Sequence, residues 1–401
     1  MGLFAYEVIN SVGELLKGQM EAPEEFAVSD NLRKMGHTVL EIKEVRLSPF
    51  QNIFKNEVKV SVGDLSLFSR QLAAMLDAGV PLTRSLFTLS SQMTNRGMAR
   101  VVGEIAHNVE GGMNFTDTLN AYPRIFSSLF TGMVRAGEVG GSLQESLVRL
   151  ADQLQKDKFL RDSLRSATMY PAAIGIFSVL ILLAMLFFLV PIFMGFFPPG
   201  VELPLLTKMV VGLSVSLRQW WYLWFLAAFL LIMAFLSYLR SPLGKRHWDH
   251  LKFRIPLFGP LLHRAVVARF SRTLSTLLAG GIPVVQALEA AGTATGNVLV
   301  EEAVKDAAEK VQEGKSIAMP LGESPIFPPM VTQMVTIGEE TGSLPELLNR
   351  IAEFFEDEVA IMTKGLTGMI EPIMLIVVGL SAGVMLLALY MPIFSVITGG
   401  M

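Results

Sequence analysis

Three long apolar runs interrupt an otherwise mixed pattern of hydrophobic and polar positions along the chain. Each run is free of Asp, Glu, Lys and Arg. Each is also long enough to cross the hydrocarbon core of a bilayer, which takes about 20 residues of α-helix. The pattern therefore predicts three transmembrane helices, at residues 172–195, 219–239 and 371–397.

The polar segments before the first and third runs have the spacing of amphipathic helices. Phe68, Leu72 and Leu76 recur at i, i+4 and i+8, and Leu143 and Leu147 begin a second such series. This period is typical of helices that bury one face against neighbours. We therefore expect two helical bundles, at residues 64–171 and 265–370.

The first 48 residues follow a different pattern. Residues 4–8, 15–20 and 38–45 favour extended strands, and residues 24–34 favour a helix. This order predicts a small β-β-α-β module at residues 1–48, followed by a linker at residues 49–63. The expected fold class is thus mainly α, a polytopic membrane protein with two repeated helical bundles, three transmembrane helices and a small N-terminal α+β module.

An internal repeat is the most informative feature of the chain, because such a repeat constrains the whole architecture. Phe-Ser-Arg, a Gly-x-Pro turn, a Gly-Glu pair and a Gly-Ser-Leu turn occur in the same order in both halves, about 200 residues apart. Each copy ends in an apolar run, so one repeat comprises a bundle and the transmembrane helix that follows it. The repeated residues are the candidate site residues: Arg70, Gly79, Pro81, Gly137, Glu138 and Gly141 in the first copy, and Arg272, Gly281, Pro283, Gly338, Glu339 and Gly342 in the second.

Several of these residues have an expected local role. Gly79 suits the C-terminal cap of a helix and Pro81 the start of the next helix. Ser142 with Glu145, and Ser343 with Glu346, have the spacing of N-terminal capping boxes. Pro372 opens the third apolar run directly after Glu371, where the first copy has Tyr170 and Pro171.

The distribution of positive charge predicts the orientation. Basic residues are dense just before the first apolar run and in residues 240–264, and sparse in the connection at residues 196–218. By the positive-inside rule, both bundles and the basic segment at 240–264 lie in the cytoplasm, and residues 196–218 form an external loop. No basic, apolar leader opens the chain, so we expect no cleaved signal peptide.

Composition narrows the classes of function. Hydrophobic residues make up 51% of the chain and charged residues 17%, against about 25% charged in ordinary soluble proteins. The net charge of −3 provides no basic field for nucleic acid,. The absence of Cys excludes disulfides and cysteine-based metal sites,.

Motifs for chemistry are missing from the sequence. It contains no phosphate-binding loop, dinucleotide fingerprint, nucleophile elbow or H-E-x-x-H pair,. We therefore predict no enzymatic activity, no cofactor and no metal site.

The charged candidates each allow two interpretations. Glu138 and Glu339 lie near predicted helix C-termini, where a negative charge is unfavourable. Each either accepts hydrogen bonds from the turn before Ser142 or Ser343, or contacts a partner. Glu371 is either a functional group at the edge of the membrane or a side chain that reaches headgroup water. Arg70 and Arg272 either form ion pairs within their bundles or bind a partner.

The duplicated motif set resembles the inner-membrane platform proteins of type II secretion systems and type IV pili, the F/PilC-like family. The resemblance covers nearly the whole chain. It implies a multi-pass protein of the bacterial inner membrane whose cytoplasmic bundles bind a hexameric assembly ATPase. It also implies contacts with pilin or pseudopilin subunits and with other inner-membrane assembly proteins.

Three transmembrane helices provide little intramembrane surface, so we expect at least a dimer. The sequence does not separate a pilus platform from a secretion platform. A small-solute transporter is the alternative, since duplicated architectures are common among transporters, although the apolar runs offer few polar groups to line a pathway.

Overall fold

The computed structural model describes the backbone of residues 2–9, 15–22 and 38–44, and residues 60–195 and 203–399. In the N-terminal unit, strands β1 (Gly2–Ile9), β2 (Leu15–Ala22) and β3 (Thr38–Glu44) form an antiparallel sheet in the order β2-β1-β3. Gly2 pairs with Ala22, and Ile9 with Leu15. The helix predicted at residues 24–34 and most of the predicted linker lie outside the described residues, so the α+β module stays a prediction.

The first repeat contains six helices. They are α1 (Val62–Asp77), α2 (Leu82–Gln92), α3 (Arg96–Glu110), α4 (Phe115–Asn120), α5 (Ser128–Val139) and α6 (Leu143–Ala184). A short π-helical segment, Met185–Leu189, and helix α7 (Val190–Met194) continue α6.

Three helices connect the repeats, namely α8 (Leu205–Gln219), α9 (Trp221–Arg240) and α10 (Pro242–Arg254). The second repeat then has six helices in the same order. They are α11 (Phe258–Ala279), α12 (Val284–Ala294), α13 (Val298–Gln312), α14 (Ala318–Glu323), α15 (Pro329–Thr341) and α16 (Leu344–Gly399).

The two bundles have equivalent cores. Phe68 packs on Phe126 with ring centroids 6.4 Å apart, and the equivalent Phe270 packs on Phe327 at 5.0 Å. The third helix of each bundle also starts in the same way: the side chain of Asn95 accepts hydrogen bonds from the first turn of α3, and that of Asn297 does so in α13. An Asn at this position satisfies amide groups that lack a partner within the helix.

Three helices of the described chain are long and apolar enough to cross a membrane, as predicted. The first and third are continuous with the last helix of their bundles. Helix α6 passes through Pro171, and α16 passes through Pro372. The predicted borders between bundle and transmembrane helix therefore lie inside single helices, with lengths of about 63 Å for α6 and about 84 Å for α16 at 1.5 Å per residue,.

Residues 205–219 are helical, whereas the sequence pattern indicated a loop at residues 196–218. Helix α8 packs against the ends of the first and third transmembrane helices. The hydroxyl of Thr207 donates to the carbonyl of Ala388 at 2.6 Å, and that of Ser214 donates to the carbonyl of Leu186 at 2.6 Å. Both hydroxyls are buried. The sequence pattern did not predict this helix, because its apolar face is interrupted by these polar residues, whose partners lie far away in the chain.

Candidate functional site

The Gly-x-Pro turns link the first and second helices of each bundle. Gly79 and Gly281 both have φ +77°, a backbone conformation that favours glycine. The amide of Val80 donates to the carbonyl of Met75 at 2.9 Å, and that of Ile282 donates to Leu277 at 3.1 Å. These bonds close the helix with a Schellman motif. Pro81 and Pro283 then occupy the N-cap positions of α2 and α12.

Glu138 and Glu339 cap the short fourth helix of their bundles. The carboxylate of Glu138 accepts from the backbone amides of Phe115 (2.7 Å) and Thr116 (2.9 Å) and from the Thr116 hydroxyl. That of Glu339 accepts from the amides of Ile317 (2.6 Å) and Ala318 (3.1 Å). The expectation of donors in the turn before Ser142 or Ser343 was wrong. The positive end of a different helix offsets the charge.

Gly137 and Gly338 let the fifth helix approach the start of the sixth. A Cβ atom on Gly137 would lie 2.5 Å from Ser146 Oγ, and one on Gly338 would lie 2.8 Å from Leu344 Cα. Gly141 and Gly342 have φ of +69° and +72° in the turn that follows. The repeated glycines thus fix the geometry of the α5–α6 and α15–α16 turns.

The capping box predicted at Ser142 does not form, because no hydrogen bond from the first turn of α6 reaches the Ser142 side chain. Ser142 has ψ 39° instead of an extended conformation. A capping side chain requires extended backbone at the N-cap position. The tight turn at Gly141 prevents Ser142 from adopting that extended conformation.

Arg70 and Arg272 form the ion pairs predicted within their bundles. Arg70 donates to Asp152 at 2.7 Å, and both side chains are more than half exposed. Arg272 is buried and binds both carboxylate oxygens of Glu356 at 2.9 Å. Glu356 is buried as well and also lies 3.3 Å from Lys156 of the first repeat.

The two bundles pack on each other across a polar interface. Gln153 of α6 is buried; its amide nitrogen donates to Thr273 at 3.1 Å and its amide oxygen accepts from Thr276 at 2.8 Å. Arg269 forms an ion pair with Asp157 at 2.8 Å. A groove of about 830 Å³ borders this interface, and Arg70 and Arg272 both line it.

A second groove lies between the first and third transmembrane helices. It has a volume of about 440 Å³ and a mostly apolar lining of residues from α6 and α16. Tyr170 and Glu371 occupy equivalent positions in the two repeats, and both line this groove. The structure therefore brings Glu371 to the contact between the two transmembrane helices.

The residues of the interface between bundles were not predicted from the sequence. Gln153, Thr273 and Thr276 look like ordinary surface positions of amphipathic helices, and Glu356 was one acid among several. A single signal was available: Arg269 breaks the apolar pattern of α11 where the first repeat has Leu67.

Among known proteins, the family described as type II secretion system (T2SS), protein F, matches residues 68–191 and 270–392. Its N-terminal domain matches residues 1–43. The type IV pilus assembly protein PilC of Thermus thermophilus is 38% identical over 99% of this chain and 98% of its own length. PilC of Myxococcus xanthus is 36% identical over 98% and 94%. The type II secretion system protein F of Pseudomonas aeruginosa is 31% identical over 98% of both chains.

Proposed function

We propose that this chain, which belongs to the family of type II secretion system protein F, couples a cytoplasmic assembly ATPase to the extraction of pilin or pseudopilin subunits from the membrane. Its role as an inner-membrane platform of a pilus or secretion machine follows from the family. The proposal adds the motor, the cargo and the route by which force passes between them.

The continuity of α6 and α16 carries the proposal. Each helix begins in a bundle and continues into a transmembrane segment without a break among the described residues. A helix of this kind transmits a displacement along its axis instead of absorbing it in a loop. The interlocked bundles would move both transmembrane helices together.

The motor would dock at the end of the bundles farthest from the membrane. The Gly-Ser turn precedes Leu143, which is about 40 Å along α6 from Pro171 at 1.5 Å per residue. At this end of the first repeat, Val139 is 85% exposed and Met113 is 51% exposed. The equivalent residues of the second repeat are Glu340 and Lys315. We infer that the apolar tip of the first repeat contacts the ATPase.

The same proposal includes the predicted orientation and division of the chain. Both bundles, at 64–171 and 265–370, would face the cytoplasm, where ATP is available. The groove beside Tyr170 and Glu371 would then lie near the cytoplasmic surface of the membrane, and subunits leaving the bilayer would contact it.

Co-purification from the native membrane, combined with an assembly assay in cells, tests the proposal. Four forms of the full-length protein are compared: wild type, Val139→Lys, Thr168→Gly/Met169→Gly and Thr168→Ala/Met169→Ala. Thr168 and Met169 are exposed on α6 just before Pro171. The glycine pair weakens the helix by about 1 kcal/mol per residue relative to the alanine pair.

We expect the ATPase to co-purify with wild type and with both double variants, and much less with Val139→Lys. Fibre assembly or secretion should decrease with the glycine pair and stay near wild type with the alanine pair. If no ATPase accompanies the wild type, the coupling is refuted. Normal assembly by the glycine variant would refute force transmission through α6. The co-purifying pilin or pseudopilin identifies the machine as a pilus or a secretion system.

A further inference from the structure

The interface between the two bundles is head-to-tail, since the first repeat uses one face and the second repeat uses another. Helices α5 and α6 of the first repeat pack on α11 and α12 of the second. In a symmetric contact, α15 and α16 would pack on α1 and α2 in the same manner, and no comparable packing occurs among the described residues. A head-to-tail contact leaves one unused copy of each face.

Each repeat has a face equivalent to the one that the first repeat contributes to this interface, and we call it the donor face. In the first repeat the donor face takes part in the contact and is formed by Arg149, Gln153, Lys156 and Asp157. Its equivalent in the second repeat is formed by Arg350, Phe354, Asp357 and Glu358. Arg350 and Asp357 are exposed and Phe354 is 48% exposed, whereas Glu358 is half-buried and forms an ion pair with Arg264 of its own repeat. A large aromatic side chain on a solvent-facing helix is a common feature of protein interfaces.

The face that the second repeat contributes to the interface is called the acceptor face. In the second repeat it takes part in the contact and is formed by Arg269, Thr273, Thr276 and Ala279. Its equivalent in the first repeat is formed by Leu67, Gln71, Ala74 and Asp77. All four are exposed, and Leu67 is 57% exposed. Within the part of the chain that the structure describes, the donor face of the second repeat and the acceptor face of the first repeat are therefore unused.

Two of the observed contacts give complementary pairs when they are transferred between repeats, whereas the third, Asp157 with Arg269, becomes Glu358 with Leu67 and loses its charge pairing. Gln153 contacts Thr276, so Phe354 would meet Ala74. The guanidinium of Arg149 donates to the carbonyl of Ala279, so Arg350 would lie beside Asp77. The polar pair of Gln153 and Thr276 is thus replaced by an apolar pair, and Arg350 gains a carboxylate partner of opposite charge.

The geometry points to a second copy of this chain as the occupant: we propose that the α16 face of one copy, centred on Phe354, binds the α1 face of another, centred on Ala74. Both repeats lead into transmembrane helices in the same direction, so the rotation that relates one repeat to the other has its axis along the membrane normal. Applying the same rotation to a second copy keeps its transmembrane helices in the same orientation across the membrane. The inference does not rest on coupling to a motor.

Cysteine cross-linking in the native membrane tests this interface, because the natural chain has no Cys. Ala74→Cys and Phe354→Cys are placed on two full-length copies with different tags, and the copies are expressed together and treated with a short bifunctional maleimide. The matched control is Gln153→Cys/Thr276→Cys in one chain, which should form the equivalent link within the chain.

We expect a product that contains both tags, and none when either single variant is expressed alone. Arg350→Glu should lower the yield by up to about fivefold, the worth of one exposed ion pair. Adding Asp77→Arg on the other copy should restore the yield.

Two results would overturn the proposal. A product from Ala74→Cys alone would indicate a symmetric dimer through the α1 face. The absence of a two-tag product, while the control cross-links within its chain, would mean that the face is empty or covered by something other than a second copy. Protection of the thiol of the Ala74→Cys variant from a maleimide dye distinguishes those two cases.

Discussion

The two repeats share their helices, turns and capping carboxylates, yet the same arginine has a different environment in each. Arg70 and its partner Asp152 lie in solvent, whereas Arg272 and Glu356 are buried. The difference arises because α6 of the first repeat covers α11 of the second, whereas no helix of the second repeat packs on α1 among the residues that the structure describes. The neighbour of a repeat thus determines the environment of its residues as much as the sequence of the repeat does.

Removing the buried carboxylate should have the largest effect. Glu356→Gln gives the second repeat the residue that the first has at position 155, and it leaves the buried Arg272 without its charged partner. Loss of one partner of a buried pair costs about 3–5 kcal/mol. We expect a large decrease in Tm of the detergent-solubilised protein, measured by circular dichroism.

The control for Glu356→Gln is Asp152→Asn, which breaks the exposed pair of the first repeat. An exposed pair contributes about 1 kcal/mol or less. Equal decreases in Tm for the two variants would mean that burial does not distinguish the repeats.

Removing the two capping carboxylates should lower Tm by amounts that differ less between the repeats. Glu138→Ala removes an acceptor of three hydrogen bonds and Glu339→Ala an acceptor of two. A hydrogen bond to a charged group contributes about 1.5–3 kcal/mol. We expect Glu138→Ala to lower Tm more than Glu339→Ala, and the exposed neighbour Glu340→Ala to leave Tm nearly unchanged. The reverse order would contradict the equivalence of the two caps.

A substitution at the start of α1 should have the smallest effect on Tm. Ser61 and Asp64 form a capping box at α1, whereas α11 extends back to Phe258 and has His263 and Val266 at the equivalent positions. Ser61→Ala should cost about 1 kcal/mol, measured as a lower Tm at neutral pH.

The contribution of this capping box should also depend on pH. Burial raises the pKa of Asp64, but hydrogen bonds from the Ser61 amide, the Asn95 side chain and the Ser61 hydroxyl outweigh it and lower the pKa below its ordinary value of 3.8. Because the folded pKa is lowered, the stabilisation is present above the unfolded pKa and is lost as pH falls through the folded pKa. The difference in Tm between Asp64→Asn and wild type should therefore be full above about pH 4 and decrease progressively as the pH falls below that value and through the folded pKa. A difference that stays constant over this fall in pH would refute the assigned role of the carboxylate.

The repeat, the transmembrane helices and the glycine turns could all be predicted from the sequence. An uncharged run of more than about 20 residues must avoid water, and a glycine with positive φ leaves a local signature such as Ala-Gly-Val-Pro at residues 78–81. These features depend on near neighbours or on solvent, so a pattern along the chain is sufficient to predict them.

Contacts between residues far apart in the chain determine which equivalent face is buried, which helix each capping glutamate serves and how α8 packs. Glu138 serves a helix that begins 23 residues earlier, and Gln153 meets Thr276 at a separation of 123 residues. Apart from Arg269, the residues of these faces resemble ordinary surface positions of amphipathic helices in both repeats, so the local pattern does not show which copy is buried. The head-to-tail packing of the bundles breaks this equivalence, because one interface within a chain leaves one copy of each face exposed.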